Sequence, residues 1–393
     1  MTVPFATPFI HPLLGRDDSW SAFRVEFAGE DAAPIDLLPL YEAAALQEID
    51  QRLPWLLPAS SAQPESEQLG SRPVWIFSAD DLDQPATQAQ ESSLRQARCK
   101  VGLEIRSPTP LPATGTWDYL IIAASHARTL PPFALDGMAT RSTLVASNVH
   151  SQTERQWMLE HACSMSTGEF LLARTQLGQR AADTTRQKLL QLLGLIAQDA
   201  DTAALDTVFR QEAKLSYSLL RLVNSAAIAP RAPITSFAQA INLLGRRQLE
   251  RWIQLLVYAD PNNGQHPNPL LYKAALRGRL MERLAPRLPG IPELSNLEDC
   301  AFMIGSFSLL DILLSMPMPE ILQQLPLTAT VREALAHHAG TLGLLLDAIE
   351  AAENREHDKA LRILKQLAVP AELFLSAQLD GLAWVSQIRS IKV

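Results

Sequence analysis

The chain has 393 residues, which is enough for two domains of roughly 150–200 residues each. Hydrophobic residues make up 47% and charged residues 19%, a composition typical of globular proteins and not of disordered ones. The formal net charge of −8 argues against a protein whose main role is to coat nucleic acid or an anionic membrane surface.

The first 180 residues alternate between short apolar runs and helical patterns. Continuous apolar runs rich in β-formers predict buried strands at 74–77, 101–105, 119–122 and 143–146. Helical patterns cover 36–52 and 153–163, and loop-like composition covers 58–73 and 83–93. This alternation predicts an α/β domain with parallel strands.

From about residue 185 onward the pattern is helical almost throughout. Apolar residues recur at helical spacing in three sets, namely Leu215, Leu219, Leu222 and Val223; Phe237, Ala240, Ile241 and Leu244; and Leu249, Trp252, Ile253 and Leu256. Ser236 is a plausible N-cap of the second set, and Gly245 would end that helix. The second part is therefore predicted to be an all-α bundle.

Three features suggest a reduced compartment and no membrane insertion. Cys99, Cys163 and Cys300 are far apart and form no C-x-x-C pair, which favours reduced thiols in the cytoplasm. Residues 1–18 lack the basic and apolar regions of a signal peptide. The longest apolar stretch, 301–316, is shorter than the ~20 residues needed to span a bilayer, so it predicts a buried core helix.

The segment 214–258 is the most specific part of the chain. LSYSLLRLVNSAA, the helix entry PITS and AINLLGRRQLERW resemble the core of the HDOD domain, and later segments extend this resemblance over nearly all of 186–393. The resemblance implies a helical relative of the metal-dependent HD phosphohydrolases that lacks their metal ligands. It also implies partner binding within bacterial regulatory pathways.

In that family an HDOD domain often follows an EAL domain, a cyclic-di-GMP phosphodiesterase barrel, and the first part resembles one. SAFRVEF at 21–27 looks like the EAL signature strand, with Arg24 where the metal-binding glutamate is expected. KVGLEI at 100–105 lacks the expected aspartate pair. The remaining expected functional positions hold Ile121 and Ala123 for a lysine and an aspartate, Ser147 and His150 for glutamates, and Thr167-Gly168 for Gln-Gly.

These substitutions remove nearly every acidic metal ligand expected from the resemblance. Metal-assisted hydrolysis of a phosphodiester needs hard carboxylate ligands for Mg²⁺ or Mn²⁺, and Arg24 would repel the cation. The first part is also shorter than the ~250 residues of a typical (β/α)₈ barrel, so whole β/α units are expected to be missing. The predicted fold is a truncated, degenerate EAL-like domain at 1–180 followed by an HDOD-like all-α domain at 186–393.

The predicted function is a non-catalytic, cytoplasmic signalling scaffold that binds a protein partner. No cofactor or metal is predicted, and neither cyclic-di-GMP nor nucleic acid is the expected partner. The candidate partner-binding residues are Arg221, Asn224, Arg246, Arg247, Arg251 and Trp252. For Asn224, at the end of a predicted helix, a structural role in satisfying backbone groups is the favoured interpretation.

A metal-dependent phosphohydrolase is the first alternative. His357-Asp358 spells the HD pair, and His337 and His338 lie upstream, so these four residues are the candidate metal cluster. The favoured interpretation is an ordinary helix start, because an aspartate near a helix N-terminus is stabilised by the helix dipole.

A nucleic-acid binder is the second alternative, through a helix-turn-helix-like segment at 236–257. Arg246, Arg247 and Arg251 on its second helix could meet phosphates or base edges. A solvated basic face that pairs with carboxylates such as Glu250 is favoured instead, and a protein-binding surface is a third possibility.

Overall fold

A computed structural model of the chain describes residues 6–28, 37–61, 69–105, 111–113, 116–173, 184–211, 219–220, 237–256, 258, 269–291 and 296–389. The chain divides into two compact units, Met1–Ala173 with Glu353–Asp358, and Arg174–Ala352 with Lys359–Val393. The boundary predicted near residue 180 falls in 174–183, outside the described residues. No sequence pattern indicated that 353–358 groups with the first unit.

The first unit is a closed barrel of eight strands that neighbour one another in chain order. The strands are β1 Pro8–Gly15, β2 Trp20–Phe27, β3 Trp55–Pro58, β4 Pro73–Ser78, β5 Lys100–Ile105, β6 Tyr119–Ala123, β7 Thr143–Ser147 and β8 Met165–Ser166. Strand β1 is antiparallel to β2 and β8, and every other neighbouring pair is parallel. This architecture confirms the predicted relation to (β/α)₈ barrels.

The expectation that whole β/α units are missing was wrong for the strands, since all eight are present. The first unit is shorter than a typical (β/α)₈ barrel because the segments that connect its strands are short. The described α-helices of the barrel are Leu38–Tyr41, Pro85–Gln96, Ala124–Ala127, Pro132–Ala139 and Gln152–Glu160, and the first and third of them are a single turn. A barrel closes through its strands, so short connections leave its end geometry intact.

Two local predictions in the first unit were wrong. Residues 83–93 were expected to be a loop but lie largely within the helix Pro85–Gln96, whose proline stands in the first turn and whose alanine, glutamine and glutamate residues favour helix. The helix expected at 36–52 is interrupted, because Ala43 adopts an extended conformation between Leu38–Tyr41 and the 3₁₀ turn Ala44–Gln47.

The barrel interior is filled by apolar side chains and is not a pore. The packed cluster consists of Leu13, Ala22, Leu56, Val74, Ile76, Ile121, Val145 and Met165, with Tyr119 beside it. These residues come from seven of the eight strands, as expected for interior layers of a small barrel. Polar chemistry is therefore confined to the ends of the barrel.

The rest of the chain is helical in every described element, as predicted. The helices are Thr184–Ala197, Thr202–Gln211, Phe237–Leu244, Arg246–Leu256, Pro269–Leu284, Leu297–Phe307, Leu310–Leu314, Met318–Gln323, Ala329–His337, Gly340–Glu353, His357–Gln366 and Ala371–Arg389. Gly245, with φ of +74°, ends one helix as predicted. The helix expected at 301–316 divides after Phe307, and no helix among the described residues is long and apolar enough to cross a bilayer.

The centre of the helical unit is a close crossing of Pro269–Leu284 and Leu297–Phe307. A Cβ on Gly305 would lie 2.6 Å from the carbonyl oxygen of Arg277, so only glycine allows this approach. Arg277 is itself buried and forms an ion pair with Glu350, with 2.7 Å between Nη1 and Oε1.

Candidate functional site at the carboxyl ends of the barrel strands

A cluster of charged side chains lies at the carboxyl ends of the parallel strands. Glu26 is near the end of β2, Glu104 is near the end of β5, and Glu169 follows β8. In (β/α)₈ barrels the functional groups gather at this end, because the loops that follow the strands converge there. We call this set, together with Arg24, Arg355, His11 and His357, the mouth cluster.

Arg24 is the central cation of the mouth cluster. Side chains two residues apart on a strand share a face, so Arg24 and Glu26 both point to the same side of β2. Arg24 is only 7% exposed; its Nε lies 2.7 Å from Oε1 of Glu26 and its Nη2 lies 2.9 Å from Oε2 of Glu104. Burial alone would lower its pKa, but the two carboxylates raise the pKa of Arg24 above its usual value, so it stays charged.

A second arginine reaches Glu26 from the segment 353–358 of the same unit. Arg355 donates through Nε to Oε2 of Glu26 at 2.9 Å and through Nη2 to Oε1. Its Nη1 lies 3.3 Å from Oδ1 of Asn148 and 3.7 Å from Oε1 of Glu169. Both oxygens of Glu26 are therefore bound by guanidinium groups, in the charge-assisted geometry that carboxylates favour most.

Two histidines complete the cluster. The ring of His357 stacks on Phe9 with centroids 4.6 Å apart, and its Nε2 lies 3.0 Å from Nε2 of His11. Oε2 of Glu26 lies 3.6 Å from Nε2 of His11 and 3.5 Å from Nε2 of His357. The cluster thus joins β1, β2 and the segment 353–358 at one point.

Burial and charge fix the protonation states of the cluster. Burial raises the pKa of Glu26, but Arg24 and Arg355 outweigh this effect and hold the pKa well below its usual range. Burial lowers the pKa of His11 to about 3 and also lowers the pKa of His357. At neutral pH the cluster therefore contains an ionised Glu26 and two neutral imidazoles.

The mouth cluster contains three carboxylates at positions other than those of the expected metal ligands. Glu26, Glu104 and Glu169 are all present, and sequence reasoning did not single them out. The period of two along a strand was the usable signal for Glu26, because it stands two residues after Arg24. The three carboxylates face arginines instead of open space.

The other EAL-like positions carry no carboxylate side chain of their own. Ile121 belongs to the apolar barrel core, and Ser147 is buried at the end of β7. His150 is exposed, and its backbone N–H donates to Oε2 of Glu154. Thr167 is buried and its Oγ1 has no hydrogen-bond partner among the described residues.

Among the described residues, the four candidate ligands of the phosphohydrolase alternative, His337, His338, His357 and Asp358, do not form a grouping of possible metal ligands. The grouping of three possible metal ligands found among the described residues is His11, Glu26 and His357. His338 instead bonds Oε2 of Glu350 at 2.9 Å, which raises the pKa of the imidazole, and His337 is exposed. Of these four candidates, His357 is the one that belongs to a grouping of this kind among the described residues.

Arg246 and Arg247, two of the candidate partner-binding residues, form ion pairs near the surface. Arg246 lies 2.8 Å from Asp199 and 2.7 Å from Glu250. Arg247 pairs with Glu298 and lies 2.7 Å from Asp299. The predicted pairing of this basic face with Glu250 is confirmed, and a single residue, Gly245, separates the two helices where a DNA-binding helix-turn-helix has three or four.

The remaining candidates divide into buried and undescribed residues. Arg251 is buried, pairs with Glu282 and Asp299, and lies over the ring of Phe302. Trp252 is 1% exposed and stacks on Trp384 with centroids 5.5 Å apart. These contacts give Arg251 and Trp252 structural roles in the helical unit. Arg221 and Asn224 lie outside the described residues, so their roles stay predictions.

Part of the helical unit matches a known domain family. Residues 183–274 match the HDOD domain family. The helical unit contains an HDOD domain. The matched range includes the ion-paired arginines at 246 and 247, and it confirms the resemblance carried by 214–258. With the EAL-like barrel of the first unit, the HDOD domain confirms the predicted fold class.

Two curated relatives match about two thirds of the HDOD-containing chain. Uncharacterized protein YuxH of Bacillus subtilis is 25% identical over 252 residues, which is 63% of this chain and 60% of YuxH. Cyclic di-GMP phosphodiesterase CdgJ of Vibrio cholerae is 26% identical over 253 residues, which is 64% of this chain and 57% of CdgJ. The match therefore spans less than two thirds of the length of either relative.

Solved structures with some similarity contain EAL domains. Bacillus subtilis YkuI, solved with cyclic-di-GMP and calcium, is 12% identical, with coverage of 60% of this chain and 72% of YkuI and a TM-score of 0.30. The EAL domain of Mycobacterium smegmatis DcpA is 15% identical, with coverage of 42% and 91% and a TM-score of 0.30. The barrel assignment of the first unit is based on its own strand order, in which β1 and β8 are neighbours and close the sheet.

Proposed function

We propose that this chain is a non-catalytic regulator that acts by binding a protein partner. It is related to cyclic-di-GMP signalling proteins through its HDOD domain and its curated relatives. The observation that carries the proposal is the buried guanidinium of Arg24, which pairs with Glu26 and Glu104 at the end of the barrel where hydrolysis would occur.

The donor atoms of the mouth cluster do not fit the metal ions of a phosphodiesterase. Mg²⁺ requires near-octahedral coordination by oxygen atoms. One or two of these oxygens usually come from carboxylates that are free to bind the ion. Here Arg24 and Arg355 share the oxygens of Glu26, and Arg24 also holds Glu104. With two imidazoles beside Glu26 and with Glu104 held by Arg24, the cluster does not offer the set of oxygen ligands that Mg²⁺ requires, and this supports loss of hydrolysis.

The surface of the HDOD domain supports a protein partner over a nucleic acid. Leu243 is 47% exposed and lies in the last turn of its helix, and Arg246 and Arg247 begin the next helix. An exposed apolar residue beside arginines is typical of protein interfaces. The acidic partners of Arg246 and Arg247 already neutralise the charge that phosphates would need.

Turnover in cells tests the non-catalytic part of the proposal. The chain is produced in a bacterium, and cyclic-di-GMP is quantified by mass spectrometry beside an empty vector and an active EAL phosphodiesterase. We expect the cyclic-di-GMP level to match the empty vector. A fall comparable to that caused by the active enzyme would show that the chain hydrolyses the dinucleotide.

A matched pair of variants tests the partner surface. Leu243→Asp places a charge on the HDOD surface, whereas Phe133→Asp changes a residue on the barrel unit that is 75% exposed. Affinity purification of the wild type and both variants is followed by identification of bound proteins. We expect a partner to be lost with Leu243→Asp and kept with Phe133→Asp; equal retention by both variants would contradict this surface.

A further inference from the structure

The atoms His11 Nε2, His357 Nε2 and Glu26 Oε2 form a compact triangle in the mouth cluster. The two nitrogens are 3.0 Å apart, and the oxygen lies 3.6 Å and 3.5 Å from them. We propose that His11, Glu26 and His357 bind one divalent cation of the zinc type, a site distinct from the carboxylate-rich metal set of a phosphodiesterase.

The size of the triangle matches a tetrahedral centre. Zinc binds imidazole nitrogen and carboxylate oxygen at about 2.0–2.2 Å, so two ligand atoms of a tetrahedral site lie about 3.3 Å apart. The three observed distances, 3.0, 3.5 and 3.6 Å, bracket that separation. A cation bonded to all three atoms would lie about 0.6 Å outside their plane, close to the position it takes above three ligands of a tetrahedron.

The chemistry of the donors selects the type of cation. Two imidazoles and one carboxylate suit zinc and its neighbours in the first transition row, whereas Mg²⁺ and Ca²⁺ prefer sets made only of oxygen. His11 and His357 each direct Nε2 toward Oε2 of Glu26, so the set offers two nitrogen donors and one oxygen donor.

No direct hydrogen bond joins Glu26 Oε2 to either imidazole of the triangle. Between two neutral imidazoles one Nε2 must donate and the other accept, so the pair makes one hydrogen bond. Separations of 3.5 and 3.6 Å from Glu26 Oε2 are too long for hydrogen bonds to either histidine. A cation at the centre of the triangle could bond all three atoms at once.

The surrounding residues orient the three ligands. Phe9 stacks on the ring of His357, while Arg24 and Arg355 hold the carboxylate of Glu26 in place. Such outer contacts are typical of metal sites, where they fix ligand orientation. The two guanidinium charges are balanced by the three carboxylates of the cluster, which leave one negative charge before a cation binds.

A bound cation would fasten the segment 353–358 to the barrel. His11 and Glu26 stand on β1 and β2, whereas His357 is 346 residues away from His11 in the chain. Free energy released on binding the cation would therefore stabilise the seating of this segment on the strands of the first unit. The stability of the packing of 353–358 on these strands would then depend on the concentration of available zinc.

Cobalt substitution of the full chain tests the site. Co²⁺ is titrated into metal-free protein, visible absorption is recorded, and Zn²⁺ affinity is measured by calorimetry. We expect one equivalent of Co²⁺ with the intense bands of tetrahedral coordination, displaced by Zn²⁺. His11→Gln and His357→Gln should each lose the bands and weaken Zn²⁺ binding by about 100-fold or more.

His150→Gln is the matched control, because His150 is an exposed histidine of the same unit. It should retain the bands and the affinity of the wild type. Wild-type protein without tetrahedral bands, or His357→Gln protein that keeps them, would overturn the proposal. Circular dichroism checks folding of the variants, and X-ray absorption of wild-type protein loaded with Zn²⁺ gives a second test that needs no variant: absence of two imidazole ligands would also overturn it.

Discussion

Nη2 of Arg24 lies 2.9 Å from Oε2 of Glu104, an ion pair that connects β2 to β5 across the end of the barrel. These strands are not neighbours, so the pair crosses the position that a substrate or a metal would occupy in a barrel enzyme. The same arginine binds Glu26 on its own strand. A residue in place of an expected metal ligand thus organises the site as an internal salt-bridge network.

Removing Arg24 is expected to destabilise the first unit. Arg24→Ala removes a buried guanidinium that pairs with Glu26 and Glu104, and breaking a buried ion pair costs about 3–5 kcal/mol. Urea unfolding followed by circular dichroism measures the change. Arg52→Ala is the control, because Arg52 pairs with Asp50 on the surface and should matter little. Equal effects of the two substitutions would contradict the structural role of Arg24.

The close helix crossing in the HDOD-containing unit should not tolerate a methyl group. In Gly305→Ala the new Cβ would meet the backbone of Arg277 at 2.6 Å, and overpacking of this kind costs about 1–3 kcal/mol. Gly137→Ala is the control, since its Cβ would meet no atom within 4 Å and alanine favours helix. Thermal unfolding should show a lower transition temperature for Gly305→Ala and no lowering for Gly137→Ala. An unchanged transition temperature for Gly305→Ala would contradict the close approach of the two helices.

His338 should titrate above its ordinary range because it bonds Glu350. A raised pKa in the folded state means that this pair stabilises the fold below the unfolded pKa of about 6.5, and that the contribution is lost as pH rises through the folded value. The effect on stability is small because the imidazole is 40% exposed. NMR titration should show that the pKa of His338 is lower in Glu350→Gln than in the wild type. In the control variant Glu320→Gln the pKa of His338 should be unchanged.

Binding to nucleic acid is expected to be absent even at low salt. The guanidinium groups of Arg246 and Arg247 are paired with carboxylates, and the connection between their helix and the preceding one is a single glycine. Fluorescence anisotropy with labelled duplex DNA and RNA in low salt checks this. Salt-sensitive binding that weakens in Arg247→Ala would restore the nucleic-acid alternative.

The parts of the fold that sequence reasoning predicted are those with strong local patterns. β4 to β7 are continuous apolar runs buried in the barrel, and their strands were predicted within one or two residues. β1 was missed because its two prolines argue against a strand, and β8 because two residues carry no period. Their pairing comes from barrel closure, which is a tertiary effect.

The candidate site was only partly predictable for a related reason. Arg24 was found because it interrupts a recognisable motif, and Glu26 could have been found from strand alternation. His11 and His357 belong to β1 and to the start of a late helix, and no local pattern joins residues so far apart. His11 and His357 are in contact because the segment 353–358 packs within the first unit.

Direct measurement of cyclic-di-GMP hydrolysis tests the central claim that this chain signals without turnover. Purified full chain at high concentration is incubated with cyclic-di-GMP and, in separate reactions, excess Mg²⁺, Mn²⁺ or Zn²⁺, and the linear dinucleotide is followed by chromatography. We predict no product above a metal-free control with any of the three cations. Product that grows with protein concentration and is abolished by chelator would contradict the account and establish a phosphodiesterase.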